Sequence, residues 1–259
     1  MKPPSFQAKG GTLRAASGPA GSVAKGGDII SERGATIDRN RGARLSRNEG
    51  RHHFGFRGRL PSESPFCLPT KSSSVPAGPD WLHEVKYDGY RLRLERDGDR
   101  VRLITRGGYN WTSRYPWIVE AALSNRHKQF VVDGEAVVLG VDGVADFNAL
   151  HSRKHDHEVQ LYAFDIMALD GDDLRALSLS MRKTNLDCLL ARRPDGIFVA
   201  EFEQGEIGPD LFRAACRMGL EGLVSKRRDR PYQGGRSKHW VKVKNRKHPA
   251  TSRMMDAFG

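Results

Sequence analysis

The amino acid composition of the chain changes near residue 57, and this change limits which part can form a globular fold. Of 259 residues, the first 57 are dominated by Gly, Ser and Arg, and their few large apolar residues follow no helix or strand period. Such a segment cannot bury enough apolar surface to offset the entropy lost on folding. We therefore expect a disordered basic arm over residues 1–57, a folded domain over residues 58–245 and a tail over residues 246–259.

The basic arm carries much of the charge of the chain. It holds 11 Lys or Arg and 4 Asp or Glu, a balance of +7 within a net charge of +12. Clustered cations attract polyanions, so a polyanion is the first partner to test. The same charge also fits a plain solvated tail or an organelle transit peptide. Charge alone does not separate DNA, RNA and membrane surfaces.

The cysteines and the apolar residues argue against several classes of protein. Cys67, Cys188 and Cys216 are widely spaced and form no C-x-x-C pair, which argues against a disulfide framework and a Cys-rich zinc site. The sequence has no apolar run of about 18 residues. Its amino terminus lacks the apolar core of a secretory signal. We therefore expect a soluble, cytoplasmic protein with no membrane partner.

Alternation of apolar and charged residues predicts β-strands. Leu92, Leu94, Val101 and Leu103 alternate with charged residues on both sides of an Asp-Gly-Asp turn, which predicts an antiparallel hairpin. Further strands are predicted in four segments: residues 130–139, 161–168, 223–226 and 240–243.

Helices are predicted in three segments: residues 114–123, 181–191 and 211–218. Thr112 or Ser113 is expected to cap the first helix, and Gly219 to end the last. The five prolines of residues 61–80 predict an extended lead-in, with the domain proper starting near Trp81. Together the elements predict an α+β fold built on antiparallel sheets.

The run from Lys86 to Arg91 reads K-Y-D-G-Y-R, a K-x-D-G-x-R pattern between two predicted strands. With each residue type at roughly 5–7% usage, four fixed positions match by chance on the order of once in 10⁵ starts. A lysine attacks phosphorus only as the neutral amine, which is scarce at pH 7 because its unperturbed pKa is about 10.4. Neighbouring cations and partial burial lower that pKa. A nucleophilic Lys86 therefore requires further lysines or a metal close by.

Candidate cations and metal ligands follow Lys86 along the chain in a set of short motifs. These are Thr105-Arg106-Gly107, Asp133-Gly134-Glu135, Phe164-Asp165, EGLVSK at residues 221–226, and Lys242-Val243-Lys244. Lys242 and Lys244 are two residues apart on a predicted strand, so their side chains share one face and can converge on one anion. Glu221 offers the carboxylate that Mg²⁺ prefers beside substrate phosphates.

In this order the motifs resemble those of the covalent nucleotidyltransferases, which comprise DNA ligases, RNA ligases and mRNA capping enzymes. The stretches WLHEVKYDGYRL, VVDGEAVVL, YAFDIMALDG and EGLVSKRRDRPY are most similar to the ligase domain of bacterial end-joining ligases. The resemblance implies an ATP-grasp-like adenylation fold and ATP-dependent DNA ligase activity, with ATP as AMP donor and Mg²⁺ or Mn²⁺ as metal. The implied partners are nicked or broken duplex DNA and a separate oligonucleotide-binding or end-joining protein.

Carried over residue by residue, the resemblance implies how the nucleoside would be bound. Lys86 would form the lysyl-AMP phosphoramidate, and Glu84 would help to read adenine beside it. Phe164 would stack on the adenine ring, and Glu135 would bind the ribose hydroxyls.

The resemblance also implies which residues meet the phosphates and the metal. Arg91 and Arg106 would contact ribose and phosphates, and Lys242 and Lys244 would grip the α-phosphate. Glu221 would hold the divalent metal. Spreading negative charge in the transition state is then the main catalytic task.

The sequence departs from the resembled ligases after the lysine pair. Those ligases continue into an oligonucleotide-binding barrel, whereas 15 residues follow Lys244 here. We therefore expect an adenylation domain without that barrel, for which self-adenylation and strand joining are separate questions. Two alternatives stay open: a non-catalytic nucleotide-binding or nucleic-acid-binding remnant, and an RNA ligase or GTP-dependent capping-type enzyme. His151, His155 and His157 lie close in sequence, but their spacing favours a solvated loop over a metal site.

Overall fold

The computed structural model describes residues 64–192 and 195–251, and in this part of the chain eleven strands and four helices form. The strands are β1 (Cys67–Lys71), β2 (Trp81–Val85), β3 (Tyr90–Asp97), β4 (Arg100–Thr105), β5 (Gln129–Val137), β6 (Gln160–Leu169), β7 (Asp172–Asp173), β8 (Ile197–Val199), β9 (Phe202–Gln204), β10 (Gly222–Arg227) and β11 (Gly235–Lys244). The helices are α1 (Pro116–Ser124), α2 (Phe147–His151), α3 (Leu179–Leu189) and α4 (Gly208–Arg217). The arm predicted over residues 1–57 lies outside the described residues.

The strands form two sheets. The first has the order β1-β11-β10-β2-β9, and the second has the order β4-β3-β5-β6-β7 with β8 beside β6. Most neighbouring strands are antiparallel, which confirms the predicted α+β class. Two pairs, β1 with β11 and β6 with β8, are parallel and were not predicted. These pairs join segments that are far apart in sequence, so no local pattern indicates them.

The predicted hairpin is confirmed as β3 and β4. Leu94 lies opposite Leu103 in the ladder, and both are fully buried together with Leu92. Gly98, at the turn, has a φ of 61°, in the left-handed region that glycine adopts without steric cost. Alternation and turn chemistry therefore determine this part of the sheet.

The predicted cap of the first helix is wrong. The residue before α1 is Tyr115, which makes no side-chain cap, and Pro116 occupies the first turn. Proline fixes φ near its helical value and has no N–H to satisfy, so this start needs less capping. The Thr112 hydroxyl instead accepts a hydrogen bond from the backbone of Leu103 at 3.0 Å, which holds the loop against β4.

The other two predicted helices form with shifted starts. Ser178 caps α3 by accepting a hydrogen bond from the backbone N–H of Met181. Gly219 follows α4 with a φ of 73°, which confirms that it ends the helix. The short helix α2 was not predicted. Among the described residues, no helix is long and apolar enough to cross a membrane.

The segments that flank the predicted domain core belong to the fold. Residues 67–71 form the edge strand β1, so a domain start near Trp81 is wrong. The backbone N–H of Cys67 donates to the hydroxyl of Tyr232 at 3.0 Å, a contact across 165 residues of sequence. At the other end, Asn245 and Ala250 are buried, so the predicted tail packs against the domain as far as it is described.

The two faces of the second sheet pack differently. On one face, residues of β3, β5 and β6 form the main apolar core with α1 and α3. On the other face, Val131 of β5 and Met167 of β6 cluster with Cys67 of β1 and Trp240 of β11. The two sheets therefore meet through this second cluster, and Phe164 packs against it.

A buried ion pair joins α3 to the second sheet. Arg182 and Asp165 are both 0% exposed, and Arg182 Nε is 2.7 Å from Asp165 Oδ1. The second guanidinium nitrogen reaches Asp165 Oδ2 at 3.0 Å, so the contact is bidentate. Such a geometry offsets the cost of removing both charges from water.

Arg182→Met is expected to lower the free energy of unfolding by about 3–5 kcal/mol, because it leaves the Asp165 carboxylate buried without its cationic partner. Urea denaturation measures the change. Arg213→Met is the matched control, since its ion pair with Asp210 lies on the exposed surface of α4 and should matter little. Equal losses in the two variants would contradict the assigned importance of the buried pair.

Candidate functional site

All nine site residues predicted from the sequence line one cleft between the two sheets, with a volume of about 720 Å³. They are Glu84, Lys86, Arg91, Arg106, Glu135, Phe164, Glu221, Lys242 and Lys244. They come from strands of both sheets, from the loops that follow β2 and β4, and from the residue just before β10. A cleft of this size suits a small molecule such as a nucleotide.

Lys86 and Glu221 form the centre of the cleft. The backbone N–H of Lys86 donates to the carbonyl of Gly222 at 2.9 Å, which places the end of β2 beside the start of β10. Lys86 Nζ is 2.6 Å from Glu221 Oε2, and Lys244 Nζ is 2.9 Å from Glu221 Oε1. One buried carboxylate is thus shared by two lysines.

Two glycines of the motifs permit this close approach. A Cβ at Gly89 would lie 2.2 Å from the carbonyl oxygen of Ala136, so no side chain fits where the lysine loop crosses β5. A Cβ at Gly222 would lie 2.1 Å from the carbonyl oxygen of Val243, and Gly222 has a φ of 143°. Both glycines are therefore required by backbone packing next to Lys86 and Glu221.

The lysines around Glu221 change the pKa values of their neighbours. Burial alone would raise the pKa of the Glu221 carboxyl, but Lys86 and Lys244 outweigh it and lower that pKa. The pKa of Lys242 is lowered by burial first, and then by the charges of Lys86, Lys244 and Arg106. The cleft therefore holds an ionised carboxylate within a surplus of positive charge.

Arg91 is already engaged within the protein. Its Nε lies 2.9 Å from Asp133 Oδ1, and a terminal nitrogen lies 2.7 Å from Asp133 Oδ2. Burial opposes the charge, but Asp133 outweighs this effect and raises the pKa of Arg91. Its guanidinium carbon also lies 5.2 Å from the centre of the Phe164 ring. Arg91 therefore supports the cleft wall and keeps only part of its donors for a ligand.

One end of the cleft is aromatic. Phe164 and Trp240 line it in an edge-to-face arrangement, with ring centres 6.2 Å apart. Lys226 Nζ lies 4.2 Å from the centre of each ring. Burial lowers the pKa of Lys226 more than Glu84 raises it. We call Phe164, Trp240, Lys226 and Glu84 the aromatic end of the cleft.

The sequence analysis gave no role to Lys226 or Trp240, although both line the cleft. Strand periodicity could have found Trp240, because it lies two residues before Lys242 and on the same face of β11. Lys226 shares a face of β10 with Val224, which also lines the cleft. Neither residue type is unusual in a strand, so local sequence alone gave no further signal.

The cleft lining also includes an exposed loop after β4. Arg106 is exposed there, and Tyr109 is 70% exposed. The loop backbone is fixed, since the N–H of Thr105 donates to the Tyr109 carbonyl at 2.9 Å and the Tyr109 N–H donates to the Thr105 hydroxyl at 3.0 Å. A cation and a large ring are thus held in solvent on a rigid loop.

The donor set of the cleft fits a magnesium-type metal bound together with phosphates. Within residues 64–192 and 195–251, no three His, Cys, Asp or Glu side chains converge as a metal site. Glu221 offers one ionised carboxylate, and Mg²⁺ usually takes one or two carboxylates plus phosphate and water oxygens. The three clustered histidines considered in the sequence analysis do not line the cleft. His151 forms a hydrogen bond with the Tyr90 hydroxyl, and His155 and His157 contact Glu158.

Comparison with known proteins identifies the family of the chain. Residues 71–244 match the family model of the ATP dependent DNA ligase domain. The chain belongs to this family. The matched range begins in β1 and ends with Lys244, so it includes every residue that we place in the cleft centre and at its aromatic end.

The ligase domain is similar to parts of longer end-joining proteins. It is 34% identical over 196 residues to the multifunctional non-homologous end joining protein LigD of Pseudomonas aeruginosa, covering 73% of this chain and 23% of that protein. It is 38% identical over 166 residues to the multifunctional non-homologous end joining DNA repair protein LigD of Mycobacterium tuberculosis. That match covers 64% of this chain and 22% of the relative. The chain thus spans less than a quarter of the length of these relatives.

One solved structure is similar to the domain in both fold and sequence. The mycobacterial DNA ligase D complexed with ATP and MES superposes with a TM-score of 0.63 at 34% identity, covering 72% of this chain and 62% of that one. This match confirms the predicted adenylation fold and its relation to an ATP-dependent family.

Glu135 is a cleft residue whose pKa is moved toward neutral pH. Burial raises the pKa of the Glu135 carboxyl from 4.5 to about 7, although Lys86 and Arg91 lower it in part. The folded state therefore binds this proton more tightly than the unfolded chain does. The resulting stability is present below about pH 4.5 and is lost as the pH rises through about 7.

Glu135→Gln is expected to be more stable than the wild type above about pH 7, and this advantage should shrink as the pH falls toward about 4.5. Thermal unfolding across this range measures the difference in melting temperature. Glu120→Gln is the control, since its exposed side chain lies on α1, outside the cleft. A pH-independent difference for Glu135→Gln would contradict the raised pKa.

Proposed function

We propose that this ligase domain transfers AMP from ATP to Lys86 and then to a 5′-phosphate of DNA. The observation that carries the proposal is the convergence of nine residues on one cleft, with Lys86 Nζ 2.6 Å from Glu221. The lysines around this pair supply the cations that an amine nucleophile and a triphosphate both require.

The aromatic end of the cleft would receive the base. Phe164 would stack on the adenine ring, and Glu84 would accept a hydrogen bond from its amino group. Glu135, on the β5 strand beside Arg91, would bind the ribose hydroxyls. Arg91 would contact ribose or phosphate with the N–H groups that Asp133 leaves free.

The lysines at the cleft centre would bind the α-phosphate. Lys242 and Lys244 lie on one face of β11 and both line the cleft, so they can meet one anion from the same side. Arg106 would contact the phosphates from the rim. This placement surrounds the phosphorus with fixed positive charge before any bond changes.

In the adenylation step, the ion pair between Lys86 and Glu221 opens and Lys86 Nζ loses a proton to solvent. The nitrogen lone pair then attacks the α-phosphorus of ATP. The P–N bond forms as the bond to the bridging oxygen breaks, pyrophosphate leaves with that electron pair, and the nitrogen gives up its second proton to solvent. The product is the lysyl-AMP phosphoramidate.

Glu221 would hold a Mg²⁺ or Mn²⁺ ion in the working enzyme. Its carboxylate is ionised and directed toward the phosphate-binding lysines. The ion, when bound, supplies further positive charge to the triphosphate. Glu221 would then exchange its contact with Lys86 for the metal, which would release the amine.

Lys86→Ala is expected to abolish covalent labelling of the chain by ATP carrying a labelled α-phosphate, because no other amine replaces the nucleophile. Label that survives denaturation of the protein measures the adduct, and a parallel sample with labelled GTP tests the capping-type alternative. Lys128→Ala, at an exposed lysine outside the cleft, is the control and should keep the label. Label retained by Lys86→Ala would contradict the proposal.

The later steps would act on nicked or broken duplex DNA. A 5′-phosphate oxygen attacks the AMP phosphorus and the Lys86 amine leaves; a 3′-hydroxyl then attacks the 5′-phosphate and AMP leaves. The LigD relatives are multifunctional non-homologous end joining proteins, and we propose that a separate oligonucleotide-binding or end-joining protein assists. The proposed place of action is the cytoplasm, on DNA.

Tyr109 and Arg106 are proposed as DNA contacts, because both are exposed on a rigid loop at the rim of the cleft. Tyr109→Ala is expected to slow AMP transfer to a nicked DNA duplex by roughly 5-fold or more, from the loss of stacking worth about 1–3 kcal/mol. Transfer is measured per adenylated molecule in the same sample. Val141→Ala, at an exposed apolar residue outside the cleft, is the control. Equal transfer rates in the two variants would contradict this contact.

A further inference from the structure

Tyr232 is a buried tyrosine to which the adenylation chemistry assigns no role. It lies in the loop between β10 and β11, is 7% exposed and is not part of the cleft lining. Its hydroxyl accepts a hydrogen bond from the backbone N–H of Cys67 at 3.0 Å and donates one to Asp133 Oδ2 at 2.8 Å. Because the N–H of Cys67 can only donate, the single hydroxyl proton is directed at Asp133. One hydroxyl thus joins β1 of the first sheet to β5 of the second.

Asp133 connects the Tyr232 hydroxyl to Arg91. The Asp133 side chain is fully buried, and its Oδ2 is shared by that hydroxyl and by a terminal nitrogen of Arg91 at 2.7 Å. Its Oδ1 accepts a hydrogen bond from Arg91 Nε at 2.9 Å. Of the three residues, Arg91 is the one that lines the cleft. A change at Tyr232 therefore reaches a bound nucleotide by way of Asp133 and Arg91.

The other contacts of Arg91 are with aromatic rings. Its guanidinium carbon lies 5.1 Å from the centre of the Phe66 ring, 5.2 Å from that of Phe164 and 5.7 Å from that of Trp240. Aromatic faces attract a cation, but a bidentate carboxylate fixes the direction of its N–H groups far more strictly. The position of Asp133 therefore determines which N–H groups of Arg91 are left for a ligand.

Tyr232 is itself held from outside the cleft. Its backbone N–H donates to the Arg175 carbonyl at 2.8 Å, and its ring packs edge-to-face on Trp240 with ring centres 6.0 Å apart. The guanidinium carbon of Arg182 lies 5.8 Å from the centre of the same ring. Burial, and then the charge of Asp133, raise the pKa of Tyr232, so the hydroxyl stays protonated at neutral pH. Tyr232 is therefore a fixed, neutral donor.

We propose that Tyr232 is a positioning residue that orients Arg91 for the nucleotide by holding Asp133. Its hydroxyl keeps its proton throughout the reaction and acts from behind the cleft wall. Donors that are already oriented bind a charged ligand without the cost of ordering them when it arrives. This inference rests on the proposed nucleotide site and adds a residue outside the cleft lining on which that site depends.

Equilibrium binding of AMP to the full chain, measured by calorimetry, tests the inference without the covalent step. Tyr232→Phe removes the hydroxyl and keeps the ring. It is expected to weaken AMP binding about tenfold, because a guanidinium that is no longer fixed donates less well to ribose and phosphate. Tyr115→Phe is the matched control and should keep the wild-type affinity. It also removes a buried hydroxyl, which lies outside the cleft lining and has no hydrogen-bond partner among the described residues.

A double-mutant cycle with Arg91→Lys separates positioning from structural support. Lysine keeps the cation but has no planar fork to orient. In the Arg91→Lys chain, Tyr232→Phe should therefore weaken AMP binding less than about twofold. A tenfold loss in both backgrounds would overturn the inference, since Tyr232 would then act independently of Arg91. A folded Tyr232→Phe that melts at a lower temperature but binds AMP as the wild type does would overturn it as well.

Two further outcomes are decisive. If Tyr232→Phe does not fold, Tyr232→Gln, which is polar but shorter than tyrosine, decides by the same criterion. A wild type that shows the expected coupling in AMP binding but forms no Lys86 adduct contradicts the proposed catalysis and supports the inference. A wild type that binds no AMP overturns both.

Discussion

The ion pair of Glu221 with Lys86 and Lys244 is the contact on which the rest of the site depends. It joins the loop after β2, the start of β10 and the end of β11 through one buried carboxylate. Beside it, glycine at 89 and 222 lets the backbone pass close to Ala136 and Val243. The same contact keeps the amine in reserve, since a lysine paired with a carboxylate does not attack phosphorus. In the proposed reaction, nucleotide and metal release it.

Helix α3 contacts both the second sheet and the cleft wall through the ion pairs of two neighbouring residues, Arg182 and Lys183. Arg182 pairs with Asp165 and supports the second sheet, whereas Lys183 pairs with Glu84 at the aromatic end of the cleft. The first pair is neutral and bidentate, as a structural contact should be. The second is also buried, and Lys226 shares the same carboxylate.

Local patterns predicted those parts of the fold whose causes are local. The β3–β4 hairpin follows from alternation and a glycine turn, and the end of α4 follows from Gly219. β1 could not be predicted, because its partner β11 lies more than 160 residues away and only the sheet gives it a role. The same distinction holds in the cleft: spaced motifs indicated Lys86 and Glu221, whereas Lys183 is a cleft neighbour only through the packing of α3.

The central claim is that the cleft prepares Lys86, and no other residue, to take AMP. Mass spectrometry of peptides from the wild-type chain, after incubation with ATP and Mg²⁺, tests it most directly. The account predicts a single AMP adduct on the peptide that contains Lys86. An adduct on a different residue, or a chain that binds ATP and forms no adduct, would contradict it.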